Sequence, residues 1–313
     1  MVQDIRRLGQ KLSNWGRWGP DDERGTLNYV TPKKVQEATR LVRKGKIIRL
    51  GLNYDSDGPQ EGHARRFNPI HTMFLDGGDS LLNESLLPGG MGFADDMVVM
   101  PLQCSTQWDA LGHVFYDGKM YNDHSAGEVT SAGAKKNSID RVCEGVISRG
   151  VLLDFPRYKG LQMLEPGYAI MPQDLDGCAA AEKVSIEGGD VLLVRTGWIQ
   201  KLLVNKDKAA YRGAGRVPGL SYQCLEWVHQ AQIAAVASDT RALEAVPSGL
   251  PDVTNPFHMV AIRDMGLLLG EIFNFEALAA DCAQDGAYEF LFVGAPLPFT
   301  GAVGSPLNPL AVK

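Results

Sequence analysis

No apolar run among the 313 residues approaches the roughly 20 that a membrane-spanning helix needs. The N-terminus, Met1-Val2-Gln3-Asp4-Ile5-Arg6-Arg7-Leu8, lacks the apolar stretch of a secretory signal. Basic charge is also short. Against 37 Asp and Glu stand 31 Lys and Arg, a net charge of -6, and binding to a phosphate backbone needs the opposite balance. Cysteine is sparse: Cys104, Cys143, Cys178, Cys224 and Cys282 are odd in number, widely spaced and without a Cys-x-x-Cys pair. That excludes a disulfide framework and a zinc ribbon, and predicts reduced thiols in a cytoplasmic protein. The one glycine cluster, Pro88-Gly89-Gly90-Met91-Gly92, has no Lys-Ser/Thr after it, and no dinucleotide fingerprint occurs, so nucleotide chemistry has no visible seat. The Gly-x-Ser-x-Gly elbow of the common serine hydrolases is missing as well.

What is present is an ordinary globular composition, 44% apolar and 22% charged, in a chain long enough for a large core. Strand-like runs fall at 47–52, 98–102, 150–155, 190–196, 233–237, 267–272 and 289–293, with helical patterns at 171–182, 221–232 and 275–281. Thr31-Pro32 reads as a helix cap followed by Pro in the first turn, starting a helix to about Val42. The basic residues from Lys33 to Lys46 read as its solvated face. Trp15 and Trp18 lie in a Gly-rich segment and are expected to pack on the body or on a neighbouring subunit, or else to cover a site. Strands alternating with a few helices, and no visible linker among 35 Gly and 17 Pro, predict one α/β or α+β domain over 1–313, with an N-terminal extension to about 46. The tail 296–313, rich in Pro and Gly, reads as an extended arm onto a partner subunit, and a homo-oligomer, dimer or tetramer, is the expected assembly.

The densest polar cluster is Gln103-Cys104-Ser105-Thr106-Gln107-Trp108-Asp109-Ala110-Leu111-Gly112-His113. In an extended strand Gln107 and Asp109 share a face about 7 Å apart, while Cys104 points the other way. Gln103 and His113 reach the same place only if the backbone turns, and Ala110-Leu111-Gly112 offers a turn.

This cluster resembles the cyclase-like metal hydrolases, a family that includes kynurenine formamidase, isatin hydrolase and trans-dienelactone hydrolase. Its motif is His-x-Gly-Thr-His-x-Asp-x-Pro-x-His. Thr106, Asp109 and His113 match in register, whereas Gln103 and Gln107 stand where the family has two ligand histidines, Ser105 replaces Gly and Leu111 replaces Pro. Asp190 to Trp198, ending Thr196-Gly197-Trp198, is similar to a family strand. Pro218-Gly219-Leu220 and Asp239-Thr240 are similar to later landmarks, and His258 with Glu271 to a C-terminal ligand pair. The resemblance implies a mixed β-barrel-like sheet flanked by helices. It further implies a divalent metal, Zn or Mn, held by Asp109, His258 and Glu271 with Gln107 and Gln103 completing or bordering the site, and His113 as the catalytic proton carrier. The glutamines set this chain nearer the trans-dienelactone hydrolase branch.

A bound metal supplies both a nucleophilic water and a charge sink for opening a small cyclic amide or lactone. Other readings stay open. His113 and His258 can each be a packed, hydrogen-bonded histidine. Glu271, after the apolar Leu267-Leu268-Leu269-Gly270, can pair with Arg241 or Arg263 instead of a metal. The glutamines can mark a lost metal site, leaving a metal-independent cyclase or dehydratase, or a small-molecule-binding protein. His71 is a candidate for the pocket wall; His63, His124 and His229 read as surface or structural. Trp108, Phe115, Tyr116 and Trp198 suit either a planar substrate or a core.

Overall fold

The computed structural model describes residues 1–62, 65–82 and 86–313, so His63 lies outside the described residues. Nine strands form one mixed sheet that curls into a half-barrel flanked by helices. From edge to edge they are Ile47–Arg49, Leu310–Val312, Glu289–Val293, Ile147–Asp154, Val191–Arg195, Ala235–Ser238, Leu268–Glu271, Gln107–Asp109 and Gly304–Pro306. The four strands from Ile147–Asp154 to Leu268–Glu271 are parallel and the others antiparallel. Val191–Arg195, Ala235–Ser238 and Leu268–Glu271 are buried along their whole length. Covered on both faces, such strands carry continuous apolar runs rather than an alternation.

The helices begin where local chemistry supplies a cap. Thr31 accepts the amide of Lys34 and Pro32 opens the helix, which ends at Thr39, three residues short of the expected Val42. Lys34 departs from its reading as a solvated lysine: it is buried, 2.7 Å from Asp190 and 3.0 Å from Glu187. A first helix, Val2–Leu12, buries Ile5, Gly9 and Leu12 and packs on the π-helix Met259–Met265. Trp15 donates its indole N–H to Arg263 O at 2.8 Å and so fastens the N-terminal segment to the body, while Trp18 meets Tyr29 edge-on within that segment.

Two expectations are corrected. The tail from 296 is no free arm: Gly304–Pro306 forms one edge of the sheet, and Leu310–Val312 inserts between Ile47–Arg49 and Glu289–Val293. The run 98–102 is not a core strand. Val98 and Val99 end the strand Asp95–Val99, which pairs with Ile70–Leu75 in a separate two-stranded ribbon whose residues are nearly all exposed. His71 therefore lies on this exposed ribbon, pairs with Asp96 at 2.7 Å and does not line the cavity at the candidate site.

Candidate metal centre

The strand Gln107–Asp109 sorts its side chains by period two. Trp108 turns into the core, its ring centroid 5.4 Å from Phe273 and 6.1 Å from Phe292, with its indole N–H on Gly294 O. Gly270 lies opposite it, and a Cβ there would stand 2.6 Å from the indole, so glycine lets the ring lie flat across the neighbouring strand. Gln107 and Asp109 take the other face, where Glu271 is the direct partner of Gln107 in the ladder. Thr106 ties the ends together: its hydroxyl donates to Ile272 O at 2.7 Å and accepts Leu52 N at 2.9 Å. Ile272 has φ +60°, a left-handed conformation costly for a β-branched residue. The bonds from Thr106 and from the Ile272 amide to Thr240 O hold it there, and the strand ends on Glu271.

Asp109, His258 and Glu271 converge. Each is buried, and one ligand atom from each lies within 4.8 Å of the others. His258 closes the helical turn Pro256–His258, which Glu244 anchors by accepting the amides of Phe257 and His258 at 3.0 and 3.1 Å. The same Glu244 carboxylate takes His258 Nδ1 at 2.5 Å, leaving Nε2 facing Glu271 Oε1 at 3.2 Å. Burial works against charge on this imidazole, but the hydrogen bonds it donates to Glu244 and Glu271 outweigh that and raise its pKa well above the ordinary value. Burial and then the charge of Asp109 raise the Glu271 carboxyl. A histidine oriented through one nitrogen by a carboxylate, with the other aimed at two buried acids, is the arrangement metal-ligating histidines adopt. This donor set fits a divalent ion.

Gln107 sits between the two acids as a donor. Its Nε2 lies 3.0 Å from Glu271 Oε2 and 3.3 Å from Asp109 Oδ1, and its buried Oε1 has no partner among the described residues. It thus links the carboxylates while Glu271 Oε1 faces His258. Gln103 packs beside the edge strand, its amide nitrogen filling the space a Cβ would need at Gly304, the residue opposite Asp109. It does not line the cavity described below. The backbone does turn after Ala110: the His113 amide donates to Ala110 O, and His113 Nε2 comes to 3.8 Å from Asp109 Oδ1.

The triad opens into a cavity of about 450 Å³, within the range of small-molecule sites. His113, Val114, Val217, Val246 and Met259 line it, with Arg66, Arg212 and Arg241. Four aromatic candidates do not. Trp108 and Trp198 are core residues, Tyr116 bonds Asp264, and Phe115 is exposed. Cys104 is fully buried, and burial pushes its thiol up to about 11. Arg263 pairs with Asp264 rather than Glu271, and Arg241 makes no ion pair with Glu271 among the described residues. The Asp-Thr and Thr-Gly-Trp landmarks prove to be one structural knot: Asp239 accepts the amides of Thr196 and Gly197 and the Thr196 hydroxyl.

The comparisons bear on the family and the fold. A family model described as "Putative cyclase" matches residues 20–245. The chain belongs to the cyclase family. A crystal structure of a novel cyclase is 41% identical, with 97% of this chain and 99% of that one covered at a TM-score of 0.89. An isatin hydrolase bound to the product analogue thioisatinate is 16% identical over 91% of this chain and 99% of that one, at a TM-score of 0.64. A predicted metal-dependent hydrolase from Bacillus stearothermophilus is 14% identical over 85% and 97%, at 0.51. At these lower identities the likeness is one of fold. No curated protein matches the sequence.

Sequence reasoning missed Glu244, Arg66 and Arg212, and assigned Arg241 only as a possible partner of Glu271. Glu244 had no signal, since it lies fourteen residues before the histidine it holds, in Arg241-Ala242-Leu243-Glu244-Ala245. Arg241 did have one: it directly follows the Asp239-Thr240 landmark.

Proposed function

We propose that this protein is a metal-dependent hydrolase that opens a small cyclic amide or lactone, or cleaves a related amide or ester. The observation that carries the reading is the buried Asp109–His258–Glu271 cluster with His258 Nδ1 tied to Glu244. Two carboxylates and an imidazole suit Zn or Mn. When bound, such an ion supplies an activated water and polarises the substrate carbonyl. The residues do the rest. Glu244 orients His258, and Gln107 spaces the two acids. His113, on the cavity wall beside Asp109, moves the proton to the leaving group. The isatin hydrolase of like fold acts on a cyclic amide, which supports this substrate class.

Metal content, measured by elemental mass spectrometry on undialysed wild type beside Asp109→Ala, tests the reading. Near-stoichiometric Zn or Mn that is lost in the variant supports it. Less than about a tenth of an equivalent, unchanged by the mutation, overturns it. One observation favours a second, metal-free reading as cyclase, dehydratase or binder: Gln107 turns its amide nitrogen, a donor, to both acids. A cyclase of that kind ignores chelator yet loses activity in His113→Ala, and a binder turns nothing over.

A homo-oligomer, dimer or tetramer, is the assembly we propose. The exposed ribbon supports it, carrying Ile70, Phe74, Val98 and Val99 in water, as few monomers do. The net charge of -6 speaks against a nucleic-acid partner. Among the described residues no helix is long and apolar enough to cross a membrane. Five unpaired cysteines support a cytoplasmic setting.

A further inference from the structure

Three arginines face the cavity that holds the acidic cluster. Arg212 is exposed and lies 3.2 Å from Glu61. Arg66 and Arg241 are half-buried, and neither makes a hydrogen bond or an ion pair with any described residue. The two buried arginines, by contrast, are both paired. Arg149 meets Asp190 and Glu289, and Arg195 meets Asp154 and Glu276. A guanidinium presents five donors in a planar fork that matches a carboxylate, and donors drawn out of water without an acceptor cost stability.

The charge balance points the same way. Arg66 lies close enough for its charge to act on Glu271. With a divalent ion on Asp109 and Glu271 the two acids are neutralised, and the charges of Arg66 and Arg241 are left without a counterpart. Val114, Val217, Val246 and Met259 provide apolar wall for a carbon skeleton, and about 450 Å³ takes a small ring compound.

We propose that Arg66 and Arg241 form the anion-binding end of the substrate cavity, so that the compound acted on carries a carboxylate on its ring or side chain. The two guanidinium groups hold that carboxylate while the bond to be cleaved faces the Asp109–His258–Glu271 cluster. For what then happens to the ligand, this rests on the hydrolase reading; the binding itself does not.

The test measures dissociation constants by calorimetry for two ring carboxylates, benzoate and 5-oxotetrahydrofuran-2-carboxylate, each beside its uncharged methyl ester. The full-length protein is used as purified and again after chelation, with the singles Arg66→Gln and Arg241→Gln and their double variant. Wild type binds each carboxylate at least about tenfold tighter than its ester, as charge-assisted forks to arginine require. The double variant cuts that preference to about twofold with ester binding unchanged. Should the double variant fail to fold, each single lowers the preference at least about threefold. No preference in wild type, a preference kept in the variants, or one that vanishes on chelation overturns the proposal; the last outcome places the carboxylate on the metal. Hydrolysis of the lactone and its ester by metal-loaded protein separates the two readings. Absent turnover with the preference intact sinks the hydrolase reading alone, and turnover without the preference sinks the arginine site alone.

Discussion

Replacing Glu244 with Gln probes the cluster through a residue that touches no substrate. The carboxylate is 1% exposed and accepts from four groups. Oε1 takes His258 Nδ1, the His258 amide and Asn255 Nδ2, while Oε2 takes the Phe257 amide. In Glu244→Gln the remaining carbonyl oxygen keeps the three bonds at Oε1. The new NH2 then stands against the Phe257 N–H, donor to donor. One charge-assisted bond is lost and one buried donor is left unmet, about 1.5–3 kcal/mol of stability in the metal-free protein. The imidazole also loses the negative charge behind it, which made Nε2 the better ligand. Outer-shell changes of this kind weaken metal binding by about 10–100-fold, or about 1.4–2.7 kcal/mol. Competition against a fluorescent chelator reads the affinity, and urea unfolding of chelated protein reads the stability. Metal held within about twofold of wild type would refute the reasoning, because His258 would then need no second anchor.

Lys34→Met strips one cation from the buried Asp190. Arg149 still pairs with that acid at 2.8 Å, so the loss in urea unfolding is about 3 kcal/mol, the low end for a broken buried pair. Burial lifts the Glu182 carboxyl from its ordinary 4.5 to about 8, so its proton stabilises the fold. That contribution is complete below 4.5 and is lost as pH rises through about 8, and urea midpoints against pH should show a falling slope that Glu182→Gln removes. Cys104→Ser should leave turnover intact, and iodoacetamide at pH 7 should spare Cys104, since its thiol is pushed up to about 11. Gly270→Ala forces a methyl against Trp108, Ala237 and Phe273 and should cost about 1–3 kcal/mol by thermal unfolding.

The centre of the sheet was legible because its parallel strands are buried on both faces and carry apolar runs, and Glu289–Val293 because its residues alternate. The run 289–293 matches the observed Glu289–Val293, and the other central runs differ only at their ends. One sheet edge, Ile47–Arg49, was legible within the run 47–52, and the other was not. Gly304–Pro306 is three residues long and contains a proline, tolerated because an edge strand is bonded on one side only. Period-two reasoning put Gln107 and Asp109 on one face and Cys104 away from it. The same alternation could not reveal that the strand bearing His71 lies in a separate exposed ribbon. Nor could spacing show which lysine of a basic helix finds Asp190, because that choice is made by a strand some 150 residues away.

The order of the chain has a consequence for how the site is made. The strand bearing Gln107 and Asp109 lies between Leu268–Glu271 and Gly304–Pro306, both of which emerge from the ribosome long after it. His258 and its anchor Glu244 come late too. Throughout most of synthesis Asp109 waits in a strand with neither neighbour, so a nascent chain holds one acid of the cluster and nothing to share an ion with. On the proposed hydrolase reading metal capture is thereby deferred to a chain that is nearly whole, and loss of the last ten residues would remove one edge strand and the neighbour of the other at once.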